Sequence, residues 1–505
     1  MNQAVHSMRP LLALAFPLSC ALLVVLLRRK PNWRETCTLI AASAQFAIIV
    51  SMAPTILQGK VLVSHIITIT SGIEIGYRVD ACGLIFAITS SFLWILVSIY
   101  SIGYMRSLNE HAQTRYYCMF ALALFSAVSI ALAANLVTFY IFYEALTLST
   151  YWLVAHHENA EAFAATRKYL AYLLASGWFL FAAVVMTYAL AGTTTFTAGG
   201  ILTTASGSKG TLIMLFALFA LGSMKAAWMP FHSWLPSAMV APTPVSSLLH
   251  AVAVVKAGVF GFVRIVGYVF GLDLMQALGL GLLLGAVASF TMIVGSFFAI
   301  GEDNLKRRLA FSTISQLSYI LFGAALLTAS GIKGAMIHIP FHGFMKITLF
   351  LCAGAMMVIT DKKQISEMAG IGRQMPITMG AFTIGAIGMC GAPPVAGFIS
   401  KWFLCLGAVE SGHLVFLGVI LTSSLLDVIY FFPIVKTAFF DKARHETEAP
   451  AGRPPVREWQ QPLYLFMVIP LAITALFSIL FCFFPGMFYI LDLANLATAE
   501  LFFGR

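Results

Sequence analysis

Long apolar runs, broken by short polar stretches, recur from one end of the chain to the other. Each is roughly 20 residues, the length that carries a helix across a bilayer. The runs are continuous rather than alternating, which points to helices and not to the strands of a membrane barrel. Lipid permits only these two solutions, because backbone groups there find no water. About 14 spans are expected, centred near Cys20, Gln45, Phe92, Leu124, Tyr143, Phe179, Phe219, Val255, Ala286, Ile320, Thr348, Ile387, Leu425 and Ile473. The stretch from Leu57 to Tyr77 is too polar to span. Its alternation in KVLVSHIITITSGIEIGYRV predicts a hairpin on the outer surface. The connection from Asp441 to Gln461 is the longest polar one, and no soluble domain or linker is visible. The reading is one all-α polytopic membrane domain over residues 1–505.

Composition agrees: 60% of the 505 residues are hydrophobic and 10% charged, with mean hydropathy +0.91. The net charge of +10 does not form a stripe that nucleic acid would need. The basic residues sit in alternate loops instead. Arg28, Arg29, Lys30 and Arg34 follow the first span, Arg106 and Arg115 the third, Arg167 and Lys168 the fifth. Lys306, Arg307 and Arg308 follow the ninth, Lys362, Lys363 and Arg373 the eleventh, and Lys442, Arg444, Arg453 and Arg457 the thirteenth. The positive-inside rule then places the odd loops in the cytoplasm of a bacterial or archaeal cell and both termini outside. Arg28–Lys30 follow the first apolar stretch, so it reads as a retained helix and not a cleaved signal.

Two spans carry prolines that a continuous helix cannot hold. The seventh reads LGSMKAAWMPFHSWLPSAMVAPTP, with Pro230 and His232 at its break; the twelfth reads TIGAIGMCGAPPVAGFISKWFL, with Pro393 and Pro394. Broken helices in matching places of two halves point to transporter repeats. The expected divisions are 1–110 (helices 1–3), 116–270 (first repeat, helices 4–8), 275–440 (second repeat, helices 9–13) and 462–505 (helix 14 and the C-terminus).

Charged residues inside spans are the candidate chemistry, since intramembrane charge is costly to keep without use. Glu144 lies in the fifth span, with Tyr140, Thr147 and Tyr151 on its helix face. Lys225 and Lys401 lie near the two breaks, and His250 and Lys256 in the eighth span. His338, His342 and Lys346 recur every four residues along one face of the eleventh. Ser312, Ser315, Gln316 and Tyr319 form a polar face in the tenth, and Asp427 in the thirteenth is expected to pair with Lys401 or Lys346. Arg264 is expected to snorkel as a structural residue. A buried lysine can release its proton and arginine cannot, so this set reads as a proton path. The paired histidines lack further ligands, and the eight cysteines are scattered without CxxC. No metal, haem, flavin or iron–sulfur cofactor is expected.

The segments AAWMPFHSWLPSAMVAPTPVSSLLHAVAVVKAGVF, DNLKRRLAFSTISQLSYI, FHGFMKITLFLCAGAM and GAPPVAGFISKWF resemble the antiporter-like subunits of respiratory complex I. They also resemble relatives in multisubunit Mrp-type Na+/H+ antiporters and membrane-bound hydrogenases. The resemblance covers about spans three to thirteen. It implies two inverted five-helix repeats around a conducting core. By motif position Glu144 and Lys225 resemble the family's paired residues, Lys256 and His250 its central ones, His342 and Lys346 the eleventh-helix pair, and Lys401 the terminal lysine. The implied function is a proton-translocating subunit, closest to the D-type member of Mrp antiporters, since the chain ends at Arg505 soon after its last span. The alternatives are a pumping subunit of a complex I-like oxidoreductase or hydrogenase and, in another class, a stand-alone solute transporter. Implied partners are other membrane subunits, H+, Na+ and lipid, with no nucleic acid.

Overall fold

The computed structural model describes residues 3–70, 73–441 and 458–503. Most of the Asp441–Gln461 connection, with Lys442, Arg444, Arg453 and Arg457, lies outside the described residues. The chain starts with a short strand, β1 (Gln3–His6), then helices α1 (Arg9–Leu26) and α2 (Pro31–Leu57). Strands β2 (Lys60–Thr70) and β3 (Ile73–Val79) follow. Helices α3 (Ala81–Ser107), α4 (Gln113–Ala131), α5 (Leu136–Val154), α6 (Ala160–Ala191) and α7 (Lys209–Gly222) come next. After α7 come the short α8 (Trp234–Ser237), α9 (Thr243–Ser247), α10 (Val254–Arg264) and α11 (Leu272–Ala277). Then come α12 (Leu280–Gly301), α13 (Leu305–Ala325), α14 (Ala329–Thr360) and the single turn α15 (Ile371–Gln374). The rest are α16 (Pro376–Cys390), α17 (Gly397–Glu410), α18 (Leu414–Phe439), α19 (Tyr464–Phe483) and α20 (Ile490–Phe503).

Every predicted span centre lies in one of these helices. Among the described residues, ten helices are long and apolar enough to cross a membrane. The polar Leu57–Tyr77 stretch forms the β2–β3 antiparallel hairpin. β1 adds to it in parallel, so the all-helical expectation needs a small three-stranded sheet added. A strand of four residues beside the first span is too short for its alternation to stand out.

Polar residues at helix starts fix the boundaries. Asp80, Asn135 and Asn159 each accept the backbone N–H three residues on, at 2.8 Å, satisfying donors that a helix leaves free. Packing then sorts the helices by depth. The helical run Thr243–Phe270 is fully enclosed, whereas only 39% of the apolar windows of α1, α2, α6 and α18 is covered. The outer helices turn residues such as Trp178, Phe290 and Val415 outward, as a lipid-facing belt requires. Connections fall into two sets. Bridges Tyr77↔Ala133 and Asn135↔Thr195 stitch the even-numbered connections together. The bridge Asn304↔Gln364 joins two odd ones. One cavity of about 780 Å³ is lined by Lys168, Lys306, Lys362 and Lys363, so these basic connections share one face.

Arg264 departs from the sequence reading. It does not snorkel: it is 1% exposed, because a buried carboxylate far off in sequence meets it. Asp80 binds it through two hydrogen bonds of 2.6 and 2.7 Å while capping α3. The guanidinium lies over the Phe260 and Tyr268 rings. Gly83 makes this possible, since a Cβ there would sit 2.2 Å from the Ala131 carbonyl and 2.9 Å from Arg264. Breaking one partner of a buried pair costs about 3–5 kcal/mol, as an uncompensated charge remains. Asp80→Ala should therefore lower the thermal unfolding midpoint of the purified protein steeply and cut its yield from membranes. An unchanged midpoint would remove the pair from the fold's supports.

Candidate functional site

The break after α7 sets the first part of the site. α7 stops at Gly222 and a single 3-10 turn, Met224–Ala226, carries Lys225. Backbone freed by the break is satisfied by side chains. Ser176 donates to the Gly222 carbonyl at 2.6 Å and accepts from Met224 N–H at 3.2 Å. The Trp234 indole donates to the Met224 carbonyl at 3.1 Å. Lys225, fully buried, donates to the Tyr143 carbonyl, lies 3.3 Å from the Tyr143 ring centre and stands 4.0 Å from the Glu144 carboxylate. Glu144 lies against Gly177, where a Cβ would come within 2.5 Å of the carboxylate. Among the described residues, none of the three hydroxyls on the Glu144 face bonds its carboxylate. Thr147 turns to the Tyr143 carbonyl, Tyr140 packs on Phe181 and Tyr151 on Trp152. Their side chains serve helix packing, and Glu144 Oε1 has no hydrogen bond among the described residues.

α10 lies tight against this turn: a Cβ on Gly258 would be 2.2 Å from Ala226 N. Two residues earlier, the Lys256 ammonium sits 2.7 Å from His342 Nδ1 on α14. From here a polar file runs through α13, α14, α17 and α18. The His342 ring lies 5.7 Å from that of His338, which bonds Ser400 at 2.8 Å. One turn along α14, Lys346 donates to the Ser312 hydroxyl at 2.8 Å and the Leu309 carbonyl at 3.3 Å. The Tyr430 hydroxyl stands between Ser312, at 2.9 Å, and Asp427. Asp427 accepts from Gln316 at 2.8 Å and from Lys401 at 2.7 Å. Lys401 also donates to Ser424 at 3.1 Å and to the Met389 carbonyl at 2.8 Å, one turn before the break in the twelfth span. Of the two partners left open for Asp427, the structure chooses Lys401; Lys346 connects to it through hydroxyls. Breaks appear where Pro230, Pro393 and Pro394 predicted them.

Residues 133–427 match the family model described as "NADH:quinone oxidoreductase/Mrp antiporter, TM". The chain belongs to this family. The matched stretch opens just before α5 and closes on Asp427, so it holds every span residue from Glu144 to Asp427 but not Asp80. Residues 67–117 match a second model, the N-terminus of chain 5 of NADH-ubiquinone oxidoreductase (complex I). NADH-quinone oxidoreductase subunit N of Desulforudis audaxviator (strain MP104C) is 31% identical over 413 residues, covering 80% of each protein. The Staphylococcus aureus (strain JH9) protein named "Putative antiporter subunit mnhA2" is 31% identical over 403 residues, 74% of this chain and 49% of that protein. In fold, the chain is similar to one in the Mrp complex from Dietzia sp. DQ12-45-1b. The TM-score is 0.86 at 21% identity, over 99% of this chain and 98% of that one.

In this antiporter-family chain some site residues stand apart. His250 is enclosed, its ring 4.7 Å from that of Phe350, and neither nitrogen is hydrogen-bonded among the described residues. It lies in a π-wound stretch, Leu248–Val252, which resets the phase between it and Lys256. His232 is partly buried and stacks on Phe298. Ser315 turns away, to Ser296 at 3.0 Å. Tyr430 was missed by sequence reading, although it stands three residues after Asp427 and so shares its helix face. Ser400 left no signal, because its partner His338 is on another helix. The tight fit at Gly177 gives a test. Gly177→Ala should cost about 1–3 kcal/mol by overpacking, while the same change in a Glu144→Ala background should cost little. Unfolding midpoints of the four proteins check this; equal costs in both backgrounds would dissolve the contact.

Proposed function

We propose that this chain is a proton-translocating, cation/H+ antiporter-like subunit of a multisubunit membrane complex, most similar in role to the D-type member of Mrp antiporters. One observation carries the reading. Lys256, His342, Lys346, Ser312, Tyr430, Asp427 and Lys401 form a polar file at membrane depth, each at most 5% exposed where a lysine, histidine or acid is concerned. Polar groups this deep are maintained for transport far more readily than for stability.

The groups can move a proton in order. A proton passing from Lys256 Nζ to His342 Nδ1 makes an imidazolium, whose other nitrogen is then ready to donate. Lys346 is one turn away, about 6 Å along the helix. The Ser312 and Tyr430 hydroxyls both donate and accept, so they bridge Lys346 to Asp427. Lys401 then loads or releases the proton at the second break, where the freed Met389 carbonyl steadies its charged form. Glu144 and Lys225 are the corresponding unit of the first half, separated by a distance that leaves the pair loose. On this reading the fold has 14 spans in two inverted repeats, residues 116–270 and 275–440, flanked by 1–110 and 462–505. The basic face is cytoplasmic and both termini lie outside. The partners are other membrane subunits, and H+ is the ion moved by this chain. The similarity to an NADH-quinone oxidoreductase subunit over 80% of both proteins favours a second reading, a pumping subunit of a complex I-like oxidoreductase. Co-purification of the neighbouring subunits distinguishes the two.

Glu144→Gln keeps the shape and removes the charge. It should abolish proton-coupled transport in membrane vesicles while the complex still assembles. Normal transport by the assembled variant would end the assignment.

Lys401 separates transport from anchoring. Lys401→Ala should stop transport, and Lys401→Arg should stop it too, because arginine keeps its proton. A fully active Lys401→Arg, with assembly verified, would reduce Lys401 to an anchor for Asp427.

A further inference from the structure

Outside the spans, on the basic face, three histidines surround one carboxylate. Glu110 lies in the α3–α4 turn and His111 beside it; His156 and His157 lie in the α5–α6 turn. Glu110 Oε2 is 3.9 Å from His111 Nδ1, 3.5 Å from His156 Nε2 and 3.7 Å from His157 Nδ1. One ligand atom each from Glu110, His111 and His156 lies within 4.8 Å of the other two. His156 is the most informative member. It is completely buried, and neither ring nitrogen makes a hydrogen bond among the described residues, although buried imidazoles normally have partners. Its Nε2 faces Glu110.

Two imidazoles and a carboxylate are a ligand set for zinc, with bonds of about 2.0–2.2 Å. Tetrahedral bonds of that length put neighbouring ligand atoms about 3.3–3.5 Å apart. The separations of His156 and His111 from Glu110 Oε2, 3.5 and 3.9 Å, are close to that, and the three ligand atoms, all within 4.8 Å of one another, would draw together around an ion.

We propose that Glu110, His111 and His156 bind a divalent transition-metal ion of the Zn2+ type, with the fourth position left to water or His157. The ion ties the α3–α4 turn to the α5–α6 turn. Both turns are set by left-handed residues, Asn109 and Ala112 in one and Glu158 in the other, and Arg115 already links them through the His156 carbonyl at 3.2 Å. Glu110 and His157 also line the 780 Å³ cavity with Lys168, Lys306 and Lys363. Glu110 is thus shared between the metal site and that cavity.

Zinc binding can be read without any transport assay. The full-length protein in its native complex is stripped with chelator and titrated with ZnSO4 against a chromophoric zinc indicator, and its X-ray absorption spectrum is recorded. One saturable site per chain with about two imidazole ligands is expected. His111→Gln is the cleaner variant, because its side chain is 48% exposed and the fold does not lean on it. It should weaken binding at least tenfold, no less than the roughly 10–100-fold that outer-shell partners cost, and Glu110→Gln should do the same. Absence of a saturable site in the wild type, or wild-type affinity in both variants, would overturn the proposal.

Discussion

Taking an ammonium out of water costs several kcal/mol even after relaxation, and this fold has to do so repeatedly. How each cation is compensated divides the interior into fixed and changeable parts. Arg264 has a complete carboxylate partner, bonded twice by Asp80, and it cannot lose its proton. It therefore acts as a rivet between the start of α3 and the end of α10. Lys256 and Lys346 are held by uncharged groups only, an imidazole in one case and a hydroxyl and a carbonyl in the other. Either protonation state of these lysines can be accommodated, whereas a deprotonated Arg264 could not be. Glu144 and Asp427 lie at the two outer lysines, Lys225 and Lys401. The carboxylates thus stand at the ends and the neutral partners in the middle.

The helix breaks supply a carbonyl that has no helical donor of its own. A continuous helix shares its carbonyls between its own N–H groups and a buried cation, as Tyr143 of α5 does for Lys225 and Leu309 of α13 for Lys346. Where α16 ends, the Met389 carbonyl turns to Lys401. Close backbone contact keeps that geometry: a Cβ on Gly397 would fall 1.8 Å from the Gly388 carbonyl. At the first break the freed groups go instead to Ser176 and Trp234, so Lys225 leans on the Tyr143 carbonyl and ring of the neighbouring α5. The two breaks are alike in chain position and differ in how they hold their lysine, which gives the two ends different strength. The second pair is in direct contact at 2.7 Å and the first is open at 4.0 Å.

What could be read from the sequence follows from its range. Spans, breaks and the β2–β3 hairpin depend on neighbours within a few residues, so hydropathy and proline positions exposed them. The four-residue spacing of His338, His342 and Lys346 put them on one face for the same reason. Pairings across helices were legible only in outline. Asp427 had two lysines in reach, and nothing local favours one of them. Arg264 was misread because its partner Asp80 lies ahead of α3, outside the apolar runs in which compensating acids were sought. The π-wound turn at Leu248–Val252 was invisible because winding responds to packing, here against α14 and α3, and not to its own side chains. The Glu110–histidine cluster was overlooked because a search for charge at membrane depth passes over residues in turns.

The contact between α10 and α14 sets an imidazole, and not a second lysine, against Lys256. Lys256 and Lys346 in direct contact would repel when both are charged, with only Asp427, beyond two hydroxyls, to offset them. His342 separates them and presents two chemically distinct nitrogens. Nδ1 is engaged by Lys256, while Nε2 is unengaged among the described residues. A proton taken on one nitrogen can leave from the other without the ring turning. Its helix also carries Pro340, which lacks an N–H and leaves the carbonyl one turn earlier, at Met336, without its usual donor. α14 therefore combines an imidazole with two distinct nitrogens and a locally loosened backbone at the place where, among the described residues, His342 meets Lys256 of α10. A glutamine at position 342 would fill much the same space and could still bond Lys256, but it could not take up the proton. The contact between α10 and α14 would survive, and the transfer proposed across it would not.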